Sequence, residues 1–328
     1  MTRNWMRYFE LQLLTEEGRG LQLNDFKVEF MVSSKAMAAT SVANVTIYNL
    51  HPHTRNRILL REFSQIRLFA GYQAHDDAPG SGMIFAGDIR FSLTGKAAQV
   101  DSWVTIQAVS GHQAYLYATV EKTLAAGYRV RDVHQLAAQS FGQYGISPGA
   151  TGDMPGMTFP RGRTLWLPAR QVMENVAGQC DASWQLSDGQ LRMVPEANYV
   201  HEAVLLNSRT GLIGAAQQTL KDGVDVQCLI NPNIRLNGLV QLDQASVQRV
   251  AYEESTLGAS KGPLREVERD GVITRDGAFT QPVTQPAALA ADGVYIVKAI
   301  EWQGDTRGQD WYMKLTCEPR GARELQNG

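Results

Sequence analysis

The 328-residue sequence has almost no charge imbalance, few cysteines and no long apolar run. Its 31 Lys and Arg against 33 Asp and Glu give a formal net charge of −2, without the basic surplus expected of a protein that wraps DNA. No apolar stretch approaches the roughly 18 residues of a membrane-spanning helix, and the N-terminus lacks the apolar core of a secretory signal. Hydrophobic residues nevertheless make up 44% of the chain, enough for real cores in two or three domains.

The three cysteines do not form a metal or disulfide pattern. Cys180, Cys228 and Cys317 lie far apart, each within an apolar run, and no C-x-x-C pair is present. We therefore expect three reduced, buried thiols in a protein made in a cytoplasm.

Histidines suggest one weak metal candidate, His51 and His53 together with the loop residues His75, Asp76 and Asp77. Two histidines at i, i+2 around a proline do not share a helix face, and the carboxylates have no diagnostic spacing. A solvated surface explains these residues better, so we predict no metal and no cofactor.

Enzyme motifs are also missing. The string LTGKAA (93–98) resembles a phosphate loop, but Arg90 occupies the place of the first required glycine and Ala97 replaces Ser or Thr. No G-x-S-x-G elbow, H-E-x-x-H pair or paired glutamates for sugar hydrolysis stand out. We predict that the protein is not an enzyme.

The first 110 residues have the period-two alternation of strands with one buried face. The predicted strands lie within 8–13, 21–32, 44–50, 66–72, 83–93 and 103–110, with a short helix in 51–63. The last two of these pair as a hairpin. A compact barrel or sandwich accounts for this pattern better than a βαβ unit.

The middle of the chain changes to an α+β pattern. Helical spacing predicts helices over 128–141, with Asp132 in the first turn, and over 168–180, where Pro168 begins the helix. A Gly- and Pro-rich loop, 145–163, separates them. Two alternating runs around Ser187-Asp188-Gly189 then predict a hairpin over 183–195.

The last third is β-rich again, with strands predicted over 223–232, 234–242, 293–303 and 311–319. The fold class predicted is mainly β with an α+β insertion: two tube-like β-barrel domains and a small α+β domain. The predicted boundaries are 1–110, 111–197, and 198–242 with 293–328. The remaining segment, 243–292, is an inserted loop or small lobe, since a loop of that length is unusual.

The two β regions resemble each other in the order of their parts. Both contain an Ile-Arg-Leu strand start, at Ile66 and at Ile234, and both end in a hairpin whose final strand begins at a tryptophan, Trp103 or Trp311. An internal duplication explains this order, and two unrelated β domains are the alternative. A trimer of a two-barrel chain would present six similar modules in a closed ring.

Three segments carry a resemblance to a known family. SVANVTIYNLHPHTRNRI (41–58), GLIGAAQQTLKDGVDVQCLINPNIRLNGLV (211–240) and GVYIVKAIEWQGDTRGQDWYMKLTC (293–317) resemble the baseplate hub proteins of contractile-tailed phages and Mu-like prophages. They cover about a quarter of the chain, and the GDTRG-x-DWY string is the most specific part. The order of the segments suggests that the likeness extends throughout.

The resemblance implies a structural protein of a phage tail. Hubs of this family are homotrimers with two tube-like barrels per chain, which join the six-fold tail tube to a three-fold spike and enclose part of the DNA channel. The expected partners are therefore the tail tube protein, the spike protein and other baseplate proteins, with DNA passing without specific binding. Because the chain stops at Gly328, soon after its last strand, we expect the spike to be a separate protein. The expected location is the virion, after assembly in a bacterial cytoplasm.

Candidate residues for subunit contacts or structural motifs come from the polar turns and tryptophans of these segments. Gly304 and Gly308 allow a tight turn, in which Asp305 bonds its own backbone and Arg307 pairs with Asp305, Asp310 or the next subunit. Asn231-Pro232 is expected to end a strand. The full set is Asn49, Arg67, Asn231, Pro232, Arg235, Asp305, Arg307 and Trp311.

Two other functions stay open. The α+β domain with its Gly/Pro-rich loop could hold the cleft of a tail-associated peptidoglycan hydrolase. Scattered Trp and Tyr could instead serve a β-rich receptor-binding or glycan-binding protein of the tail tip. The ordered two-barrel layout favours the hub, and the small net charge suits a channel that DNA must leave.

Overall fold

In this computed structural model, the residues described are 6–36, 39–73, 80–96, 101–195, 203–219, 223–243, 247–248, 265–269, 272–276, 289–290 and 292–320. No helix in these ranges is both long and apolar enough to cross a membrane.

The first β lobe is an antiparallel sheet with one short helix. Its elements are β1 (Arg7–Leu14), β2 (Gly20–Leu23), β3 (Val28–Lys35), β4 (Val42–Tyr48), α1 (Pro52–Leu59), β5 (Gln65–Tyr72), β6 (Gly82–Lys96) and β7 (Ser102–Val109). Alternate residues of these strands are buried, as in β1, where Phe9, Leu11 and Leu13 point into the core. The His51 side chain caps α1 by accepting a hydrogen bond from the His53 amide at 3.3 Å.

The α+β domain follows with its own hydrophobic core. Its elements are α2 (His112–Tyr117), β8 (Thr119–Leu124), α3 (Val130–Gly142), β9 (Ser147–Thr151), β10 (Arg163–Pro168), α4 (Ala169–Gln179), β11 (Ala182–Ser187) and β12 (Gln190–Pro195). Asp132 accepts a hydrogen bond from the Arg129 amide at 2.8 Å, so it caps α3 as the sequence predicts. Asp188 and Gly189 both have positive φ, +54° and +71°, as a two-residue primed hairpin turn requires.

The second β lobe closes the chain. It contains β13 (Val204–Leu206), β14 (Ala216–Gln218), β15 (Val224–Leu229), β16 (Leu239–Leu242), β17 (Val247–Gln248), β20 (Val294–Asp305) and β21 (Trp311–Pro319), with a separate hairpin of β18 (Arg265–Arg269) and β19 (Val272–Asp276). This hairpin and β17 are the described strands of segment 243–292, and the rest of that predicted lobe lies almost wholly outside the described residues. The predicted domain boundaries stay predictions.

Both β lobes belong to one continuous sheet, with the order β17-β14-β15-β21-β20-β3-β4-β7-β6-β5-β1-β2. A single hydrophobic core runs beneath both lobes, so one face of the sheet is covered and the other is left open. The predicted class, mainly β with an α+β insertion, is confirmed. The two lobes also share an internal strand order: β3-β4-β7-β6-β5 in the first matches β14-β15-β21-β20-β16 in the second.

One detail of the predicted repeat is wrong, the strand expected over 234–242. Residues 234–238 form turns, with Asn237 at φ +57°, and the strand predicted over 234–242 begins only at Leu239. The Ile-Arg-Leu segment at 234 therefore has no place in the sheet like that of Ile66 in β5. The two tryptophans also face opposite sides, because Trp311 is buried in the core and Trp103 lies on the open face.

Alanine substitutions at two glycines should change the stability of the protein in opposite directions. Gly223, at φ +99°, would place a Cβ 2.0 Å from the Cys317 carbonyl oxygen, whereas a Cβ at the exposed Gly178 of α4 meets nothing within 4 Å. We expect Gly223→Ala to destabilise the protein by more than about 1 kcal/mol. Gly178→Ala should stabilise it by up to about 1 kcal/mol, since alanine favours the helix. Urea unfolding midpoints check both values, and equal effects at the two sites would contradict the packing at Gly223.

Candidate functional site

The two β lobes meet along the lobe seam, the antiparallel pairing of β3 with β20. Seven residue pairs form it, from Lys35 opposite Ala299 to Glu29 opposite Asp305. Trp302 and Val32, paired at its centre, are both buried, so backbone hydrogen bonds and core packing act together. The seam therefore joins the two lobes into one continuous sheet.

The turn that follows β20 is fastened to the first lobe. Thr306 Oγ1 donates a hydrogen bond to the Phe26 carbonyl at 2.8 Å and accepts one from the Val28 amide at 2.9 Å. The Arg307 guanidinium donates to the Asp25 carbonyl at 2.9 Å. The Arg307 amide donates to Asp305 Oδ1 at 2.8 Å, so Asp305 bonds its own turn as predicted. Arg307 thus uses its side chain on a first-lobe carbonyl rather than on Asp305 or Asp310.

Arg7 of β1 holds the other side of this turn. Its guanidinium donates to the carbonyl oxygens of Asp305, Gly308 and Gln309 at 2.6–3.0 Å and lies over the Trp311 ring, 5.4 Å from the centroid. Planar guanidinium groups suit this combination of several carbonyls and an aromatic face. Arg7 was not among the predicted residues, because a single arginine near the N-terminus gives no local signal.

Trp311 is an anchor between the lobes. It is 3% exposed, its indole N–H donates to the Gly71 carbonyl of β5 at 3.2 Å, and its ring meets Phe30 of β3 edge-on at 5.5 Å. Buried tryptophans usually satisfy their N–H in this way. The ring therefore joins β21 to two strands of the first lobe.

The loop between β15 and β16 provides a second junction. Asn231 is buried and its side-chain oxygen accepts from the Asn233 amide at 3.0 Å, which shapes the turn after β15. Pro232 packs against Gly82 of the first lobe, where an added Cβ would lie 2.9 Å away. As predicted, the strand ends before Asn231.

Arg235 connects all three parts of the chain. Its guanidinium donates to the Met83 carbonyl of β6 at 3.1 Å and lies 3.5 Å from the Asp188 carboxylate in the hairpin turn of the α+β domain. Arg192 lies 3.7 Å from the same carboxylate. The Asp188 carboxylate therefore lies between two guanidinium groups, where the two β lobes and the α+β domain meet.

A buried serine network fastens the α+β domain to the first lobe. Ser34 Oγ donates to Ser41 Oγ at 2.7 Å, and the Ser41 amide donates to Ser110 Oγ at 2.7 Å. Ser110 Oγ in turn donates to the Leu186 carbonyl at 2.6 Å, while the Leu186 amide donates to the Ala39 carbonyl at 2.7 Å. Because each buried group has a partner, the network fixes the orientation of the domain.

Polar side chains on the open face of the sheet form hydrogen bonds with one another. Cross-strand pairs join Thr46 to Thr105 at 2.9 Å and Gln107 to Asn44 at 2.9 Å, and Thr316 donates to Asp225 at 2.9 Å. In the second lobe this face forms a groove of about 530 Å³. Its charged side chains balance in sign: Lys35, Asp225, Glu301 and Lys314. Such a surface offers no run of cations to hold phosphates.

Asn49 and Arg67 have local positions away from the junction. Asn49, at φ +56°, bonds the Ser102 amide and Asp101 across the end of the sheet, both at 3.0 Å. Arg67 is exposed on β5. Six of the eight predicted residues, Asn231, Pro232, Arg235, Asp305, Arg307 and Trp311, therefore lie at contacts between or beside the lobes.

All three cysteines are unpaired in the structure. Burial raises the pKa of the Cys228 thiol to about 12 and raises that of Cys317 further, so both stay protonated at neutral pH. Cys180 is half-buried and also unpaired. In the described ranges no three His, Cys, Asp or Glu side chains gather as a metal site. His75, Asp76 and Asp77 of the weak metal candidate lie outside those ranges.

Comparison with solved structures shows the fold of phage tail proteins. The 43 kDa tail protein of prophage MuSo2 from Shewanella oneidensis matches with a TM-score of 0.56 and 7% identity, over 96% of this chain and 99% of that one. A tail protein from Neisseria meningitidis MC58 also gives 0.56, with 9% identity over 97% and 98%.

A third match is an E. coli component of the type VI secretion system, described as structurally similar to the T4 bacteriophage tail proteins gp27 and gp5. Its TM-score is 0.50, with 6% identity over 90% of this chain and 74% of that one. No family model and no curated protein matches the sequence. The chain thus has the fold of phage tail proteins across nearly its whole length, as the resemblance implied.

Removing the Thr306 hydroxyl should destabilise the protein, because it deletes contacts between the turn after β20 and the first lobe. Thr306→Val keeps the side-chain shape but deletes both hydrogen bonds to the first lobe, so we expect a loss of about 1–3 kcal/mol in stability. Thr123→Val is the matched control, since its hydroxyl bonds only the exposed Thr164, and it should change stability by less than about 0.5 kcal/mol. Urea unfolding of both variants checks this; a neutral Thr306→Val would show that the turn does not hold the lobes together.

Proposed function

We propose that this protein is a structural, non-enzymatic hub of a bacteriophage tail, in which three copies form a ring that adapts the six-fold tail tube to a three-fold spike. The carrying observation is the sheet itself. Two lobes with the same strand order are joined edge to edge into one wall, covered on one face and open on the other. Two similar lobes per chain turn a three-fold assembly into six similar modules.

The tail-protein fold supports this role. The contacts made by the arginines and the tryptophan between the lobes support it as well. Arg7, Arg235, Arg307 and Trp311 contact other parts of the same chain, with backbone carbonyls as their main partners. A binding or catalytic site would present such groups to a ligand. Here they hold the two lobes at a fixed angle, which a ring of several copies requires.

We further propose that the open face of the sheet lines a channel for DNA. Its threonine, asparagine and glutamine side chains bond one another, and the charges in its second-lobe groove balance in sign. DNA is retained by surfaces that neutralise many phosphates. A wall of this composition lets DNA pass without specific binding, in line with the formal net charge of −2.

In this proposal the partners are a tail tube protein at one end, a spike protein at the other, and further baseplate proteins around the ring. Assembly takes place in the bacterial cytoplasm and the product is part of the virion. Contacts with such proteins fall on the ends and outside of the ring, away from the open face.

Purified protein should form trimers with a central opening. Light scattering at micromolar concentration is expected to give three times the 36.2 kDa chain mass, and electron microscopy a ring with six similar lobes. Duplex DNA should show no saturable binding in fluorescence anisotropy at about 0.15 M salt, because no continuous basic surface is offered. A stable monomer, or tight DNA binding, would contradict the proposal, and clearing of bacterial cell walls would favour a hydrolase.

A further inference from the structure

A small cavity of about 30 Å³ lies where the two β lobes and the α+β domain meet. All three parts line it: the first lobe through Ser34, the α+β domain through Ser187 and Arg192, and the second lobe through Trp302 and Arg235. A water molecule needs at least about 10–15 Å³, whereas sites for organic ligands usually exceed about 300 Å³. The cavity therefore has room for one small ion or for one or two waters.

Two buried hydrogen-bonding groups in this lining have no partner among the described residues. In that part of the chain, four buried side-chain nitrogen or oxygen atoms make no hydrogen bond with the protein. Two of the four, Trp302 Nε1 and Ser187 Oγ, belong to residues that line the cavity. Trp302 is only 3% exposed. Buried polar groups almost always have a partner, so two such groups around one cavity indicate a bound species.

The charged residues of the lining give the cavity a positive balance. Arg192 and Arg235 lie 3.7 and 3.5 Å from the Asp188 carboxylate, so two cations face one anion and the net charge is +1. These three side chains are 18–29% exposed, whereas Trp302 is buried. The cavity thus runs from a charged side that solvent reaches to a buried side that carries the indole N–H.

The lining is rich in groups that can only donate hydrogen bonds. The indole N–H and the two guanidinium groups are of this kind. The Asp188 carboxylate only accepts, but both arginines already lie within ion-pairing distance of it. A water molecule must place its own two hydrogens on acceptors, whereas an anion accepts from every donor and neutralises the excess charge. The lining therefore suits an anion better than a water molecule.

We propose that this cavity binds a small monovalent anion of the size of chloride. The Trp302 indole N–H and the Ser187 hydroxyl donate to it, and Arg192 and Arg235 supply the balancing charge. Bound there, the anion contacts both lobes and the α+β domain at once, so it stabilises their arrangement. The site lies within one chain and does not depend on the proposed ring.

The chloride dependence of folding tests this proposal in the full-length protein. Urea unfolding is measured at a constant ionic strength of about 0.2 M, with sodium chloride replacing sodium gluconate, whose anion is too large for the cavity. Above the dissociation constant, a tenfold increase in chloride should raise the folding equilibrium constant about tenfold, because the anion binds only the folded protein. All samples are compared at one protein concentration.

Two variants each remove one of the proposed donors. Ser187→Ala and Trp302→Phe should each weaken chloride affinity by about tenfold or more, since a hydrogen bond to a charged group is lost. Ser187→Ala deletes a single oxygen, so it decides the question even where the larger change at Trp302 prevents folding. The matched control is Trp166→Phe at a tryptophan that is 73% exposed, and it should keep the unchanged response to chloride.

Crystals grown with bromide locate the anion by its anomalous scattering. We expect a peak within hydrogen-bonding distance of Trp302 Nε1 and Ser187 Oγ. Stability that does not depend on chloride would show that water fills the cavity, and it would overturn the proposal. A chloride response that stays unchanged in the donor variants, or a bromide peak only elsewhere, would assign the anion to another site and overturn it too. None of these outcomes depends on trimer formation, so the hub proposal is tested separately.

Discussion

The pairing of β3 with β20 is the constraint on which the rest of the structure depends. Two lobes linked only by a flexible connection would be free to rotate, since contacts between domains in one chain are usually modest. Seven paired residues with Val32 and Trp302 buried beneath them remove that freedom. The lobes also share one hydrophobic core, so separating them would expose apolar surface along the whole seam.

Several side chains have their main partners at or beside this seam. Arg7 donates to carbonyls of the turn that follows β20 and lies over the ring of Trp311, and Thr306 joins that turn to the start of β3. Arg235 and the serine network add the α+β domain to the same rigid unit. In the ring that we propose, a fixed angle between the lobes allows a small number of copies to close.

Much of the fold could be predicted from the sequence, for local reasons. Alternating residues identified most strands of both lobes, Asp132 marked a helix start, and Asp188-Gly189 marked a hairpin. Strands β8, β9 and β10 were missed, because strands of five or six residues have too few positions to show a clear period, and β9 also lies in the Gly- and Pro-rich loop. The segment 234–238 was taken for a strand because its apolar residues alternate, although Asn237 turns the chain there.

The candidate site was predictable in part of its residues but not in their partners. Asp305 and Arg307 were chosen for a tight turn, and a turn is what they form. Their sequence neighbours could not reveal that Asp25, Phe26 and Arg7, almost 300 positions away, complete it.

The topology of the sheet shows which distant strands pair. It also shows that the two lobes differ in which strand edges are paired. The same strand order that covers β20 leaves residues 90–96 of β6 uncovered among the described residues. Alternating residues mark β6 and β20 as strands in the same way. The difference between their edges depends on β3, which pairs with β20 from far away in the sequence, so no local pattern could have predicted it.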